Sequence, residues 1–92
     1  MVPVGLSLTR TGGGAPEESH AHALADTLWA HAAPEYAIEH IRAWTQPDGI
    51  GITLFIRAAS VGIAHARAER LMAAALASGA AAARGYSLTF LS

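Results

Sequence analysis

The residue types most suited to chemistry are concentrated in RTGGGAPEESHAH, residues 10–22. A glycine-rich loop before a helix can present backbone amides to a phosphate, usually with lysine or arginine beside it. The stretch lacks the G-x-x-x-x-G-K-[ST] pattern, and three consecutive glycines at 12–14 do not satisfy G-x-G-x-x-G. Glu17 and Glu18 also place negative charge where a phosphate would bind. The pattern therefore favours an ordinary strand-to-helix loop over an anion site.

The histidines of this region do not have the spacing of a metal site. His20 and His22 are two residues apart, so on a helix their side chains point about 200° away from each other. His20 and His31 share a helix face but lie about 16 Å apart along its axis. The chain contains no H-x-x-x-H and no cysteine, which excludes thiolate ligands and disulfides. We therefore predict no metal, no cofactor and no catalytic residue set.

The composition predicts one domain, 1–92, that associates with another protein surface. Charged residues make up 14% of the 92 residues, against roughly 25% in ordinary domains, while 52% are hydrophobic. So little charge predicts that one face is buried against a second copy or a protein partner. The net charge of −1 provides no basic field for nucleic acid. The longest apolar run, 71–83, is too short and alanine-rich to span a membrane, so we expect a soluble cytoplasmic protein.

Hydrophobic periodicity divides the chain into six elements. Alternation predicts a strand over 2–9, and i, i+3, i+4 spacing predicts a helix over 16–32 that Pro34 ends. The turn QPDG at 46–49 joins extended segments over 36–46 and 50–57 into a hairpin. Ser60 is a candidate N-cap for a second helix, whose inward face we assign to Val61, Ala64, Ala68, Leu71, Met72, Ala75 and Leu76. Gly79 or Gly85 ends that helix, and a strand follows over 86–91.

The resulting order βαββαβ resembles the ferredoxin-like split β-α-β sandwich. The resemblance implies an α+β fold in which a four-stranded antiparallel sheet carries two helices on one face. It covers the whole chain but concerns topology alone. Because such sandwiches host unrelated functions, the resemblance implies no activity.

The outward side chains of the first hairpin strand depend on its register. A two-residue Pro47-Asp48 loop turns His40, Arg42 and Trp44 outward. A type I turn with a bulge at Gly49 instead turns out Glu39, Ile41 and Ala43, which sets Glu39 opposite Arg57 and points Arg42 inward. Burying an arginine without a partner is costly, so the first register is favoured, and a second bulge within the strand could reconcile the two.

In the favoured register, the sheet face away from the helices combines aromatic, basic and hydroxyl side chains. The candidate interface or ligand residues are His40, Arg42, Trp44, Thr53, Phe55 and Arg57. Aromatics and arginine are enriched at protein interfaces, so we expect a non-enzymatic interaction module, homodimeric or bound to a protein partner, that uses this face or an edge strand.

Two other functions compete for the same face. One is a cavity between two packed sheets, as in proteins resembling dimeric α/β barrels, where a small organic molecule is bound or transformed. There His40 would act as acid or base, and Arg42 or Arg57 would hold an anionic group. The other is single-stranded RNA binding, by resemblance to RNA-recognition sheets. The net charge opposes it, and GITLFIRA lacks that family's glycine-aromatic signature.

Overall fold

The computed structural model describes residues 1–78 and 84–91. Its strands and helices follow the predicted order. They are β1 (Val2–Arg10), α1 (Glu18–His31), β2 (Ile38–Gln46), β3 (Gly49–Ile56), α2 (Val61–Ala77) and β4 (Tyr86–Phe90), with a short 3-10 turn at Pro34–Tyr36 before β2.

The four strands form one antiparallel sheet in the order β2-β3-β1-β4. Strand β3 therefore separates β1 from β2, and β1 separates β3 from β4, so each β-α-β unit is split by a strand of the other. One sheet face packs with both helices in a single hydrophobic core. Its buried members are Val4, Leu6, Leu8, Ala21, Leu24, Leu28, Ile41, Ile50, Ile52, Leu54, Ile56, Ala64, Ala68, Leu71, Met72 and Ala75. The predicted α+β sandwich is confirmed.

The helix starts show how local sequence sets element boundaries. Helix α1 begins at Glu18, two residues later than predicted, because Glu17 is its N-cap and still has extended backbone. Glu17 makes no side-chain capping bond. For α2, the predicted N-cap is confirmed: Ser60 Oγ accepts a hydrogen bond from the Ile63 amide at 3.2 Å. Neither helix described has the length and apolar character needed to cross a membrane.

Two details of the prediction were wrong. Val61 and Leu76 are 67% and 42% exposed, because they lie in the terminal turns of α2, outside its buried stretch from Ala64 to Ala75. Tyr36 belongs to the 3-10 turn rather than to a strand, since Ala37 caps that turn with a left-handed φ of 53°. Helix α2 ends at Ala77 with Ser78 as its C-cap; the candidate terminator Gly79 lies outside the described residues, so that expectation stays a prediction, and Gly85 precedes β4 with φ 85°.

Candidate functional site

The hairpin register decides which side chains of β2 face outward. Gln46 pairs with Gly49 across a two-residue turn, which is the favoured alternative of the two sequence-based registers. The pairing shifts between Ile38 and His40, so Glu39 is an extra residue on β2. This bulge lets Ile38 and Ile41 both pack toward the core although they are three residues apart.

The sheet face away from the helices is called the outer face below. The register places one alternating set of each strand on it. These residues are Pro3, Gly5, Ser7 and Thr9 of β1; His40, Arg42, Trp44 and Gln46 of β2; Gly49, Gly51, Thr53 and Phe55 of β3; Ser87 and Thr89 of β4; and Leu91 just after β4. Five of the six predicted site residues are therefore neighbours on this face.

Trp44 lies directly over Gly51, its cross-strand partner. A Cβ atom built on Gly51 would lie 2.4 Å from both Cε2 and Cζ2 of the indole, so any side chain there would have to displace the ring. Trp44 as a whole nevertheless stays 39% exposed. The backbone of Gly51 thus lies directly beneath the indole. The ring packs close against the sheet, while part of Trp44 stays exposed to solvent.

The same glycine-lined region allows a hydrogen bond between strands that are not adjacent. Ser7 Oγ of β1 donates to Gln46 Oε1 of β2 at 3.1 Å, across β3. Gly49 and Gly51 are the β3 residues paired with Gln46 and Ser7, and neither has a side chain to block the bond. The bond fixes the position of polar groups next to the indole.

The other end of the outer face carries His40, Arg42, Thr53 and Phe55. The rings of His40 and Phe55 have their centroids 5.7 Å apart and are tilted by 40°. Arg42 is exposed opposite Thr53. The one ion pair found among the described residues is His65–Glu69 on α2, so Arg42 has no carboxylate partner within 1–78 and 84–91. Arg42 is also the only permanent charge among the outer-face residues named above.

Arg57 is separate from the other predicted site residues. It follows the end of β3, where its amide donates to the Ala37 carbonyl at 3.0 Å and its carbonyl accepts from Arg67. It lines a shallow cavity with Trp29 and Glu39, beside the C-terminal end of α1. Trp29, 43% exposed, is a residue that sequence reasoning did not single out.

The histidines of α1 have separate environments. His22 is exposed, and His31 Nδ1 hydrogen-bonds the Thr27 carbonyl at 2.9 Å. His20 lines a different cavity, described below. In the part of the chain that the structure describes, no three His, Cys, Asp or Glu residues are grouped as metal ligands would be.

A cavity of about 310 Å³ was not anticipated from the sequence. It lies between the end of β1, the start of β4 and the first turns of α1. Its described lining residues are Arg10, Thr11, His20, Ala23, Arg84, Gly85 and Tyr86. The available signal was the alternation Leu6, Leu8, Arg10, which points Arg10 to the helix side of the sheet.

Comparison with protein-family models, curated proteins and solved structures finds no match to this chain. Function must therefore be inferred from the geometry of the outer face and of the cavities, because a fold class by itself implies no activity.

Proposed function

We propose that this protein is a non-enzymatic assembly module that forms a homodimer through its outer face. The observation that carries the proposal is the exposed indole of Trp44, held over Gly51 on a face with one permanent charge. Aromatic residues on rigid backbone are typical centres of protein interfaces, and charged residues are depleted there. The cytoplasmic location expected from the sequence stays a prediction.

The shape of the outer face favours a second copy as the occupant. Its β2–β3 half bears the rings of His40, Trp44 and Phe55, whereas its β1–β4 half bears small residues such as Gly5 and Ser7. A two-fold axis parallel to the strands would place the aromatic half of each copy against the small-residue half of the other. Such a surface is self-complementary, as a two-fold interface requires.

The area of the face is sufficient for a dimer. Four strands about 4.8 Å apart and about eight residues long, at about 3.3 Å per residue, cover roughly 500 Å². Two copies would then bury roughly 1,000 Å², which is at the lower limit for a specific interface. Leu91, 58% exposed at one corner, adds apolar surface to this area.

Edge-to-edge pairing is less well supported than face-to-face packing. The edge strands are β2 and β4. The bulge at Glu39 interrupts the free edge of β2, and β4 is five residues long. Bulges and short edge strands are features that oppose pairing with another sheet.

The decisive test compares the two exposed tryptophans, which lie on opposite layers. Sedimentation velocity should show a dimer for the unmodified protein. Trp44→Ala should weaken dimerisation by about tenfold or more, as loss of a central aromatic does. Trp29→Ala, on α1, is the matched control and should leave the dimer intact. A monomer at all concentrations, or equal effects of the two variants, would contradict the proposal.

A second candidate function is a small-molecule site enclosed between the two outer faces. It is favoured by the adjacency of His40, a possible acid or base, to Arg42 and Phe55. Native mass spectrometry of protein isolated gently from its own cells separates the candidates. A dimer with an additional small-molecule mass that His40→Ala removes, without loss of the dimer, would favour the second function. A bare dimer that His40→Ala leaves unchanged would favour the first.

A further inference from the structure

We propose that the cavity lined by Arg10, His20, Arg84 and Tyr86 binds a small phosphate ester. The cavity lies on the helix side of the sheet, so it is separate from the outer face and independent of the proposed dimer. It is called the basic cavity below. Its volume of about 310 Å³ is at the lower end of the range for small-molecule sites, which is about 300–1,000 Å³.

The strand register brings Arg10 and Tyr86 together. They are cross-strand partners at the ends of β1 and β4, on the same face as Leu6 and Leu8. Along this face of β1 and β4, the apolar pairs end with Leu8 and Leu88. The next pair on the same face is the guanidinium of Arg10 and the phenol of Tyr86. Arg10 is only partly exposed, because it continues the inward-facing side of the strand.

Two hydrogen bonds hold the turn that carries Arg84 and the glycine loop beside the cavity. The Thr11 amide donates to the Gly85 carbonyl at 2.7 Å, which joins the end of β1 to the turn that carries Arg84. Arg10 Nη1 donates to the Ala15 carbonyl at 3.3 Å, which fastens the glycine loop beside the cavity. A guanidinium has five N–H donors, so this bond leaves Arg10 further donors for a ligand.

Helix α1 supplies the remaining wall. His20 lies in its first turn, and Ala23 follows one turn later on the same side. The first turn of a helix carries a partial positive charge, which adds to the basic character of the cavity. Ala23 and the ring of Tyr86 provide apolar surface. The site therefore combines donors for an anion with a wall suited to a small organic group.

The described lining of the basic cavity contains two arginines and no carboxylate. Arg10 and Arg84 are permanently charged, and neither belongs to the single ion pair found within 1–78 and 84–91. Glu17 and Glu18, which weighed against an anion site in the sequence, are exposed and are not part of the lining.

A second cavity of similar size has a carboxylate among its lining residues. It is lined by Arg67 and Arg70, but Glu35 lies in the same wall. Arg67 also donates to the Arg57 carbonyl. Two arginines beside a carboxylate have less attraction for an anion than two arginines without one, so the basic cavity is the stronger anion site.

The donor set matches a phosphate better than a single carboxylate. Two guanidinium groups, the Tyr86 hydroxyl and the Thr11 hydroxyl can donate to several oxygens at once, and a phosphate ester offers three terminal oxygens and up to two negative charges. A carboxylate offers two oxygens and one charge. We therefore expect a monophosphate ester with a small organic group to bind more tightly than the matching carboxylate.

Titration followed by amide NMR tests the site with three probes that share a benzene ring. Phenyl phosphate should cause saturable shifts centred on Thr11, Ala23 and Gly85, benzoate should bind more weakly, and uncharged benzyl alcohol should not bind. Arg84→Gln should weaken phenyl phosphate binding by about tenfold, because it removes a charged hydrogen-bond donor. Arg70→Gln, in the cavity that Glu35 also lines, is the matched control and should have no effect.

The result that would overturn the site is the absence of saturable shifts with phenyl phosphate. Equal affinity for benzyl alcohol, tighter binding of benzoate, or unchanged affinity in Arg84→Gln would also overturn it. Tyr86→Phe, which removes only a hydroxyl, provides a second variant and should weaken binding less than Arg84→Gln. Sedimentation velocity on the same samples measures dimerisation independently of phenyl phosphate binding. Either proposal can therefore fail while the other stands.

Discussion

The indole of Trp44 occupies the space above Gly51 that a side chain would need. The two residues are cross-strand partners, and a Cβ on Gly51 would approach the ring to 2.4 Å. The glycine therefore determines the height at which the indole sits on the outer face. Gly51 therefore sets the position of Trp44, the residue on which the proposed dimer interface depends.

Gly51→Ala should disturb assembly more than stability. The added methyl group must displace the indole, and Trp44 is partly exposed and able to turn away from the sheet. We expect a loss of about 1–2 kcal/mol in the free energy of unfolding, measured by urea denaturation, together with a weakened dimer in sedimentation. A variant that dimerises as well as the unmodified protein would show that the position of the indole does not matter to the interface.

Gly49→Ala should be far more damaging to the fold. A Cβ at this position would lie 1.8 Å from the Leu8 carbonyl oxygen, which belongs to the neighbouring strand. Backbone cannot move aside as a side chain can, so the pairing of β1 with β3 must distort. We expect a loss of at least about 3 kcal/mol in the free energy of unfolding. A loss equal to that of Gly51→Ala would contradict this reasoning.

Gly13→Ala tests backbone conformation without any steric contact. Nothing lies within 4 Å of the position that its Cβ would take, but its φ of +78° is unfavourable for other residues. The expected cost is about 1 kcal/mol in the free energy of unfolding. Thermal or urea unfolding measures it, and a variant as stable as the unmodified protein would show that the loop relaxes to another conformation.

Ser60→Ala should remove the N-cap of α2. The lost bond from the Ile63 amide to Ser60 Oγ predicts a decrease of about 1 kcal/mol in the free energy of unfolding. Glu17→Ala is the matched control at the N-cap of α1, where no side-chain capping bond exists, and should change stability by less than about 0.5 kcal/mol. Similar losses in both variants would indicate that the serine bond contributes little.

Local patterns were sufficient to predict the elements and their packing faces. Alternation in β1 and β3 identified residues that the structure buries, such as Leu6 and Ile52, and the spacing of Leu24 and Leu28 identified the inner face of α1. The errors lay near the ends of elements, and they include the assignment of Val61 and Leu76 to the buried face of α2 and of Arg57 to the outer face. At the start of β2, the left-handed backbone of Ala37 ends the 3-10 turn and so decides where the strand begins. Hydrophobic periodicity carries little information about the backbone angle of a single residue.

The hairpin register was only partly determined by the sequence. The cost of burying Arg42 favoured the observed two-residue turn, but the bulge that brings both Ile38 and Ile41 to the core follows from packing against the helices. Because a shift of one residue exchanges the two faces of a strand, tertiary packing had to complete the assignment. It placed five predicted site residues on one face and left Arg57 beyond the end of β3.

The basic cavity shows what only the tertiary structure decided. By itself, the sequence determined the strands, the helices and the sandwich. Hydrophobic periodicity can be read over a few residues, and it shows both the type of each element and the face that the element buries. Arg10 and His20 belong to the glycine-rich stretch at residues 10–22, whereas Arg84 lies far later in the chain. They line one cavity because β1 pairs with β4 and because α1 packs over that end of the sheet. Long-range pairing of this kind has no local pattern from which it can be read.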